Sequence, residues 1–386
     1  MKFFIDFAAG SLNKYGEELC GDKVEFFSDK ESFIAVLSDG LGSGVKANIL
    51  ATLTSKIAIT MLKEGLSIEE VVDTIIHTLP MCSVRKLAYS TFTIIKVTSD
   101  GMVYVVEFDN PSVFFMRDNQ IIDLETTVTE INGRKIKESK FELQEKDTLV
   151  FVSDGVIHAG AGMILNLGWS WKEVANYLQT VSNKSMPAKM ITNLLLGVCE
   201  DLYIEKPGDD TTVVTLKAIK PKLATVFAGP PIDPRQDREV VNTLMHSQGK
   251  KIVCGGTAAN IVSKKIGSEI KTSFNIRDRN IPPIGHMRGM DLVTEGVLTI
   301  RGAVERLERV KTAKEIDFLY AKDGASQLAR MLFEDCTHIK MLVGRAINPA
   351  HQNPDFPNEL SIKLNVISKL EAVLISLGKF VEIEYY

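Results

Sequence analysis

The stretch Phe33-Ile34-Ala35-Val36-Leu37-Ser38-Asp39-Gly40-Leu41-Gly42-Ser43-Gly44 decides how this chain is read. Five apolar residues closed by Ser38 and stopped by Asp39-Gly40 predict a buried strand that delivers a carboxylate at its end. The glycine-rich turn leads into a helix with Val45, Ile49, Leu53, Ile57 and Met61 at intervals of four. That spacing predicts one apolar stripe packed against a core. Ser67-Ile68-Glu69-Glu70 has the form of a capping box and opens a second helix.

Working outward, strand-like runs follow at residues 90–97, 103–108, 112–116 and 148–153, with turns such as Ser99-Asp100-Gly101 between them. Short strands so spaced predict an antiparallel meander. Helices are expected over 171–179 and 187–202, then a strand over 211–216. The expected fold class is therefore α+β, a layered sandwich of sheets flanked by helices. At Ala218-Ile219-Lys220-Pro221-Lys222 the pattern resets, which divides the chain into residues 1–219 and 220–386.

The second part opens with a strand over 223–228 that ends in Gly229-Pro230-Pro231. A helix over 235–247, a strand over 251–254 and a helix opened by Gly255-Gly256-Thr257 follow. This rhythm is that of a smaller α/β domain with parallel strands. Later helices are expected over 302–310, 313–333 and 359–377.

Bulk composition narrows the class of function. The 386 residues are 45% hydrophobic and 24% charged, as in an ordinary globular protein, and length alone favours two domains. A formal net charge of -4 gives no basic stripe for nucleic acid. No apolar run reads as a bilayer span, and Asp6 comes too early for a secretory signal, so no membrane partner and a cytoplasmic location are expected. The five cysteines, Cys20, Cys82, Cys199, Cys254 and Cys336, have no paired spacing and are expected to be reduced and buried.

Chemistry concentrates in four short acidic motifs: Gly21-Asp22, Ser38-Asp39-Gly40, Ser153-Asp154-Gly155 and Gly208-Asp209-Asp210-Thr211. An aspartate at a strand end is held in position by the strand, and a glycine beside it frees the backbone and exposes a carbonyl oxygen. Hard cations take oxygen donors, and two of them about 3.5–4 Å apart supply a nucleophilic water near neutral pH. A lone Asp-Gly is usually only a turn; two Ser-Asp-Gly triplets ending strands and a Gly-Asp-Asp-Thr opening another make a stronger pattern.

In this order, Gly-Asp, Leu-Ser-Asp-Gly-Leu-Gly-Ser-Gly, Phe-Val-Ser-Asp-Gly and Gly-Asp-Asp-Thr-Thr-Val-Val, the motifs resemble the type 2C protein phosphatases over about residues 10–218. The bacterial branch that includes the sporulation stage II phosphatase E and stress-response phosphatases is the most similar in form. The resemblance implies an αββα sandwich of two antiparallel sheets. It also implies two divalent cations, Mn2+ or Mg2+, and hydrolysis of phosphoserine or phosphothreonine on a partner protein of the anti-anti-sigma kind.

By position, Asp39 would bridge both metals, with the Gly40 carbonyl and Asp22 at one site and Asp154 and Asp209 at the other. Asp210 is expected to be a solvated turn residue. Asn110-Pro111 matches a loop that binds no metal, and His158 is read as structural. Leu41 stands where many eukaryotic relatives have a histidine proposed as general acid, and their phosphate-binding arginine has no clear match.

In the second part, Cys254-Gly255-Gly256-Thr257-Ala258-Ala259-Asn260 joins a strand to a helix. Its free amides suit a small-molecule or anionic ligand, and tight strand-to-helix packing explains it equally. Asp291-Leu292-Val293-Thr294-Glu295-Gly296 and Asn348-Pro349-Ala350-His351-Gln352-Asn353-Pro354 would line the same strand ends. As a whole the chain resembles phosphatases of anaerobic bacteria that carry an appended C-terminal domain, which implies architecture alone for this half. Two functions stay open: a metal-dependent phosphatase with a ligand-sensing domain, and a catalytically weak or inactive signalling module.

Overall fold

The computed structural model describes residues 1–78, 90–131, 133–184, 186–273, 284–311, 316–346 and 359–386. Its contacts fall into two compact units, Met1–Lys220 and Pro221–Tyr386.

The first unit runs β1 (Phe4–Leu12), β2 (Asp22–Ser28), β3 (Ser32–Gly40), α1 (Gly44–Lys63), α2 (Ile68–Thr78), β4 (Ser90–Thr98) and β5 (Met102–Phe108). It continues with β6 (Phe114–Arg117), β7 (Gln120–Ile122), β8 (Thr126–Ile131), β9 (Arg134–Glu142) and β10 (Thr148–Val152). The short α3 (Asp154–Ile157), then α4 (Trp171–Val181), α5 (Ala188–Leu202) and β11 (Thr211–Ile219) complete it. One sheet has the order β1-β11-β10-β6-β7 and the other β2-β3-β4-β5-β9-β8, with antiparallel neighbours throughout.

Phe33, Leu37, Ile95 and Val105 from the second sheet meet Ile5, Phe115, Phe151 and Leu216 from the first, so the central core lies between the sheets. Ile34, Val36 and Ile94 on the outer face pack under α1 and α2. Val150, Val152 and Val213 pack under α4 and α5. The order of layers is helix, sheet, sheet, helix, an α+β fold, because alternate residues of each strand serve opposite faces.

The first part of the stripe expected to bury α1 faces the other way, while Ile57 and Met61 are half-buried against the core. Val45, Ile49 and Leu53 are 61%, 52% and 46% exposed, while Ala47, Ala51, Thr54, Ser55 and Ala58 are fully buried. Close packing explains the reversal. A Cβ on Gly40 would meet the Ala47 carbonyl oxygen at 2.0 Å, so the helix lies near enough to β3 that small side chains alone fit between them. Among the described residues α1 is also the one helix with the length and composition to cross a bilayer. Its small-residue face is instead seated on the sheet, as in a core helix.

The Gly42-Ser43-Gly44 turn holds no open anion site. The Ser43 hydroxyl donates to Glu17 Oε1 at 2.9 Å, so a carboxylate of the chain already closes the start of α1. Trp169 is buried, and Trp171 stacks on Phe114 with centroids 4.7 Å apart, so both tryptophans pack at the start of α4. The free thiols of Cys199, Cys254 and Cys336 are buried and that of Cys20 is half-buried; Cys82 lies outside the described residues.

The second unit comprises β12 (Leu223–Ala228), α6 (Asp237–His246), β13 (Lys250–Cys254), α7 (Gly256–Ile266), β14 (Lys271–Ser273), β15 (Ile284–His286) and β16 (Leu292–Thr294). Then come α8 (Val297–Val310), α9 (Gly324–Glu334), β17 (His338–Val343), α10 (Glu359–Ser376) and β18 (Phe380–Tyr385). The sheet order is β14-β15-β16-β13-β12-β17-β18, parallel from β16 to β18, with an antiparallel edge at β14 and β15. Helices α8, α9 and α10 cover one face, α6 and α7 the other. Over its described residues the expected 313–333 helix is a 3-10 turn, Asp317–Tyr320, followed by α9, whose start is capped by the Asp323 carboxylate. The whole Asn348–Pro354 motif, His351 included, lies outside the described residues.

Candidate metal centre

Strand ends from both sheets of the first unit bring acids to one cleft. Asp22 opens β2 and Asp39 lies next to the end of β3, and the antiparallel register sets the two directly opposite. Like charges in that relation repel. From the other sheet, Asp154 follows β10 and opens α3, while Asp209 and Asp210 precede β11. These two ends are tied together: Ser153 N–H donates to the Thr212 carbonyl at 3.0 Å, and Thr212 N–H to Ser153 Oγ at 2.8 Å.

The electrostatics show how closely the acids are gathered. Burial pushes the Asp39 carboxyl up to about 9, with Asp22, Asp154, Asp209 and Asp210 adding repulsion. Burial also pushes Asp22 up to about 7, against an opposing pull from Thr212 and Ser153 and with Asp210 and Asp154 adding repulsion. The Asp154 carboxyl is raised by burial and then by Asp209. Asp22 is 5% exposed, and neither of its oxygens has a hydrogen-bond partner in regular geometry. Two orphaned oxygens on a buried carboxylate are an unusual cost, which a cation would remove. That is the fit expected for a hard divalent ion. Among the described residues no three His, Cys, Asp or Glu side chains stand, as placed, in an arrangement that could hold a metal ion.

The glycines in the motifs act through space rather than through a turn. Gly40 lies against α1 as described, and a Cβ on Gly155 would meet the Asp210 carbonyl oxygen at 2.1 Å. Each lets the segment bearing its neighbouring aspartate approach another segment that a side chain would push away.

Asp210 is not the solvated turn residue expected. It is 4% exposed, its Oδ1 accepts the Lys14 N–H at 3.0 Å, and its Oδ2 has no partner. Asp209, by contrast, is half-open, with 47% of its side chain accessible, and Lys14 Nζ is 3.7 Å from its Oδ1. The signal for Asp210 lies in β11: residues 211–218 are all buried, and a strand enclosed on both faces draws the residue before it inward. Lys14 is the functional candidate that motif reading missed, since it lies outside every acidic motif. His158 is exposed at the end of α3, where its charge lowers the Asp154 carboxyl. Asn110 accepts the Thr91 hydroxyl and donates to Thr93 Oγ1 at 3.1 Å, which fixes the loop beside the β4 end.

Residues 29–219 match the family described as stage II sporulation protein E (SpoIIE). Among solved structures, the SpoIIE phosphatase domain from Bacillus subtilis is 18% identical, with 57% of this chain and 94% of that chain covered and a TM-score of 0.45. The RsbU and RsbW domains of a Mycobacterium tuberculosis protein are 17% identical, covering 63% and 67% at a TM-score of 0.47. RsbX, solved in complex with magnesium, is 16% identical, covering 55% and 95% at a TM-score of 0.41. No curated protein sequence matches.

Proposed function

We propose that the first unit, whose residues 29–219 belong to the SpoIIE family of type 2C phosphatase domains, hydrolyses phosphoserine or phosphothreonine on a regulatory protein of the anti-anti-sigma kind in the cytoplasm. The observation that carries the reading is the buried, unpartnered Asp22 carboxylate facing Asp39 across the β2–β3 register. Asp22, Asp39, the Gly40 carbonyl, Asp154 and Asp209 are the donors for two divalent cations, and an all-oxygen set admits Mg2+ and Mn2+ alike. When bound, such a pair supplies a water nucleophile at neutral pH and offsets phosphate charge.

The chain's own residues do the rest. The rigid strand ends hold the carboxylates in place, Asp210 anchors the Lys14 backbone, and the Lys14 ammonium at the rim attracts the phosphate. With Leu41 after Asp39-Gly40, no imidazole stands there to protonate the departing oxygen. The second unit is proposed to sense a small anionic ligand at the carboxyl ends of its parallel strands, the usual place in such sheets.

Hydrolysis of a phosphoserine peptide with and without Mn2+, by wild type and Asp39→Asn, tests the catalytic reading. A rate that needs Mn2+ and falls about 100-fold or more in the variant supports it; a metal-independent rate, or one that survives the substitution, overturns it. Folded wild type that is inert toward every phosphopeptide and phosphoprotein offered supports the inactive-module reading instead.

A further inference from the structure

Beside the acid cluster, the first unit has a cavity of about 520 Å3 that the proposed chemistry does not use. Its position follows from the strand orders. In one sheet the acids lie on β2 and β3, and β4, β5 and β9 follow outward; in the other they flank β11 and β10, and β6 and β7 follow. The cavity takes its walls from those outer strands: Glu107 and Lys137 on one side, Ile122 and Leu124 on the other. Ile157, at the far end of the α3 turn that Asp154 opens, and Trp171 complete it. The cavity thus lies outward, along both sheets, from the strands that carry the acids.

Strands are spaced ~4.8 Å apart, so the cavity begins about 5–10 Å from the acids. An extended peptide advances about 3.3 Å per residue, so a side chain two or three residues from a phosphoserine in the acid cluster reaches it.

The lining is mixed, with apolar Ile122, Leu124, Ile157 and Trp171 beside polar Asn110, Thr126 and Ser139. Glu107 and Lys137 are cross-strand partners, and Glu107 also accepts the Val113 N–H at 2.6 Å, although burial still raises its carboxyl. Asp123 stands exposed at the rim. Trp171 is a fixed wall, its indole N–H donating to the Ser112 carbonyl at 2.7 Å and its ring stacked on Phe114. Ile122 is 41% exposed at the mouth, an apolar side chain with an open face.

We propose that this cavity is a specificity subsite that seats an apolar side chain of the phosphoprotein, two or three residues from the phosphoserine. The proposal rests on the phosphatase reading, and the experiment separates the two. Wild-type full-length protein is first assayed with Mn2+ on p-nitrophenyl phosphate, which has no flanking residues. It is then assayed on phosphoserine peptides in a glycine-serine background, with leucine walked from three residues before to three after the phosphoserine.

The expected result is a kcat/KM about tenfold above the all-glycine peptide when leucine is two or three residues away on one side, carried by KM, as burial of one leucine implies. In Ile122→Asp that ratio collapses toward one, and in Ile122→Val it is retained; because each ratio is taken within one variant, overall activity cancels. A flat leucine walk on an enzyme that hydrolyses p-nitrophenyl phosphate overturns the subsite, as does a preference that survives Ile122→Asp. No hydrolysis of p-nitrophenyl phosphate by wild type overturns the phosphatase reading and the subsite with it.

Discussion

The first unit ends its sheets in carboxylates and the second ends its sheet in glycines, and that contrast separates what each edge can hold. At the first edge Asp22 and Asp39 face each other, Asp154 and Asp209 approach from the opposite sheet, and burial raises three of the four. At the second edge β12, β13 and β17 run directly into Gly229, Gly255 and Gly344, and Gly296 lies two residues past β16. The charge reaching that edge from α10 is Lys363, which donates to the Gly344 carbonyl. One edge concentrates negative charge that its own fold leaves unanswered; the other presents glycine backbone, with Lys363 and Pro230 packed against it. An edge of the first kind stores instability that a cation relieves, whereas the second costs the fold little when empty.

The contrast breaks most visibly at Gly40. A Cβ there meets the Ala47 backbone at 2.0 Å, so Gly40→Ala must displace α1 from β3. The first unit should lose about 3 kcal/mol in denaturant unfolding, with the second unit's transition unchanged. Retention of full stability would show that the helix is not held so closely.

Asp22→Asn sharpens the same comparison with the opposite sign. The Asp22 pKa rises from 3.8 to about 7 on folding, so the unfolded chain releases that proton first. Stability of the chelated protein therefore falls as pH climbs through that window and stays low above it. The variant should be more stable than wild type by about 1–3 kcal/mol at pH 8, with no gain near pH 4. A variant less stable than wild type at pH 8 in chelator would mean that the carboxylate is satisfied after all.

At the second edge the sign reverses again. Burial lowers the Lys363 ammonium from 10.5 to about 8, so between those values the unfolded chain holds the extra proton. The second unit should gain stability as pH rises through that range, and Lys363→Met should flatten the slope. A slope that persists in the variant assigns it to other groups. Smallest of all, Ile49→Lys on the outer face of α1, 52% exposed, should change stability by about 0.5 kcal/mol or less. A loss of several times that would show that the face is covered in solution.

How much of this was legible in the residues depended on what enforces each feature. Strands such as β3 and β10 declare themselves, because their burial comes from the uninterrupted apolar runs at residues 33–37 and 149–152. Asp22 was marked as an acid, but its strand was not: Lys23, Glu25 and Ser28 alternate with apolar residues in a half-open edge strand. The α1 stripe misled because periodicity measures hydrophobicity, while the inward face was selected for size: Ala47, Ala51 and Ala58 fit beside Gly40, and Val45 or Ile49 would not. Asp209 and Asp210 are neighbours of one type, and the second is told apart by its burial and by the Lys14 N–H it accepts. Lys14 joined the site through a contact nearly two hundred residues away in sequence, which no local pattern encodes.

The central claim is that these carboxylates hold a pair of divalent cations, and electron paramagnetic resonance of Mn2+ titrated into the full-length protein tests it most directly. The account predicts two ions per chain with an exchange-coupled signal, as expected for ions about 3.5–4 Å apart, and loss of the coupling in Asp39→Asn. An isolated single-ion spectrum at saturation, or coupling that persists in Asp39→Asn, would contradict it.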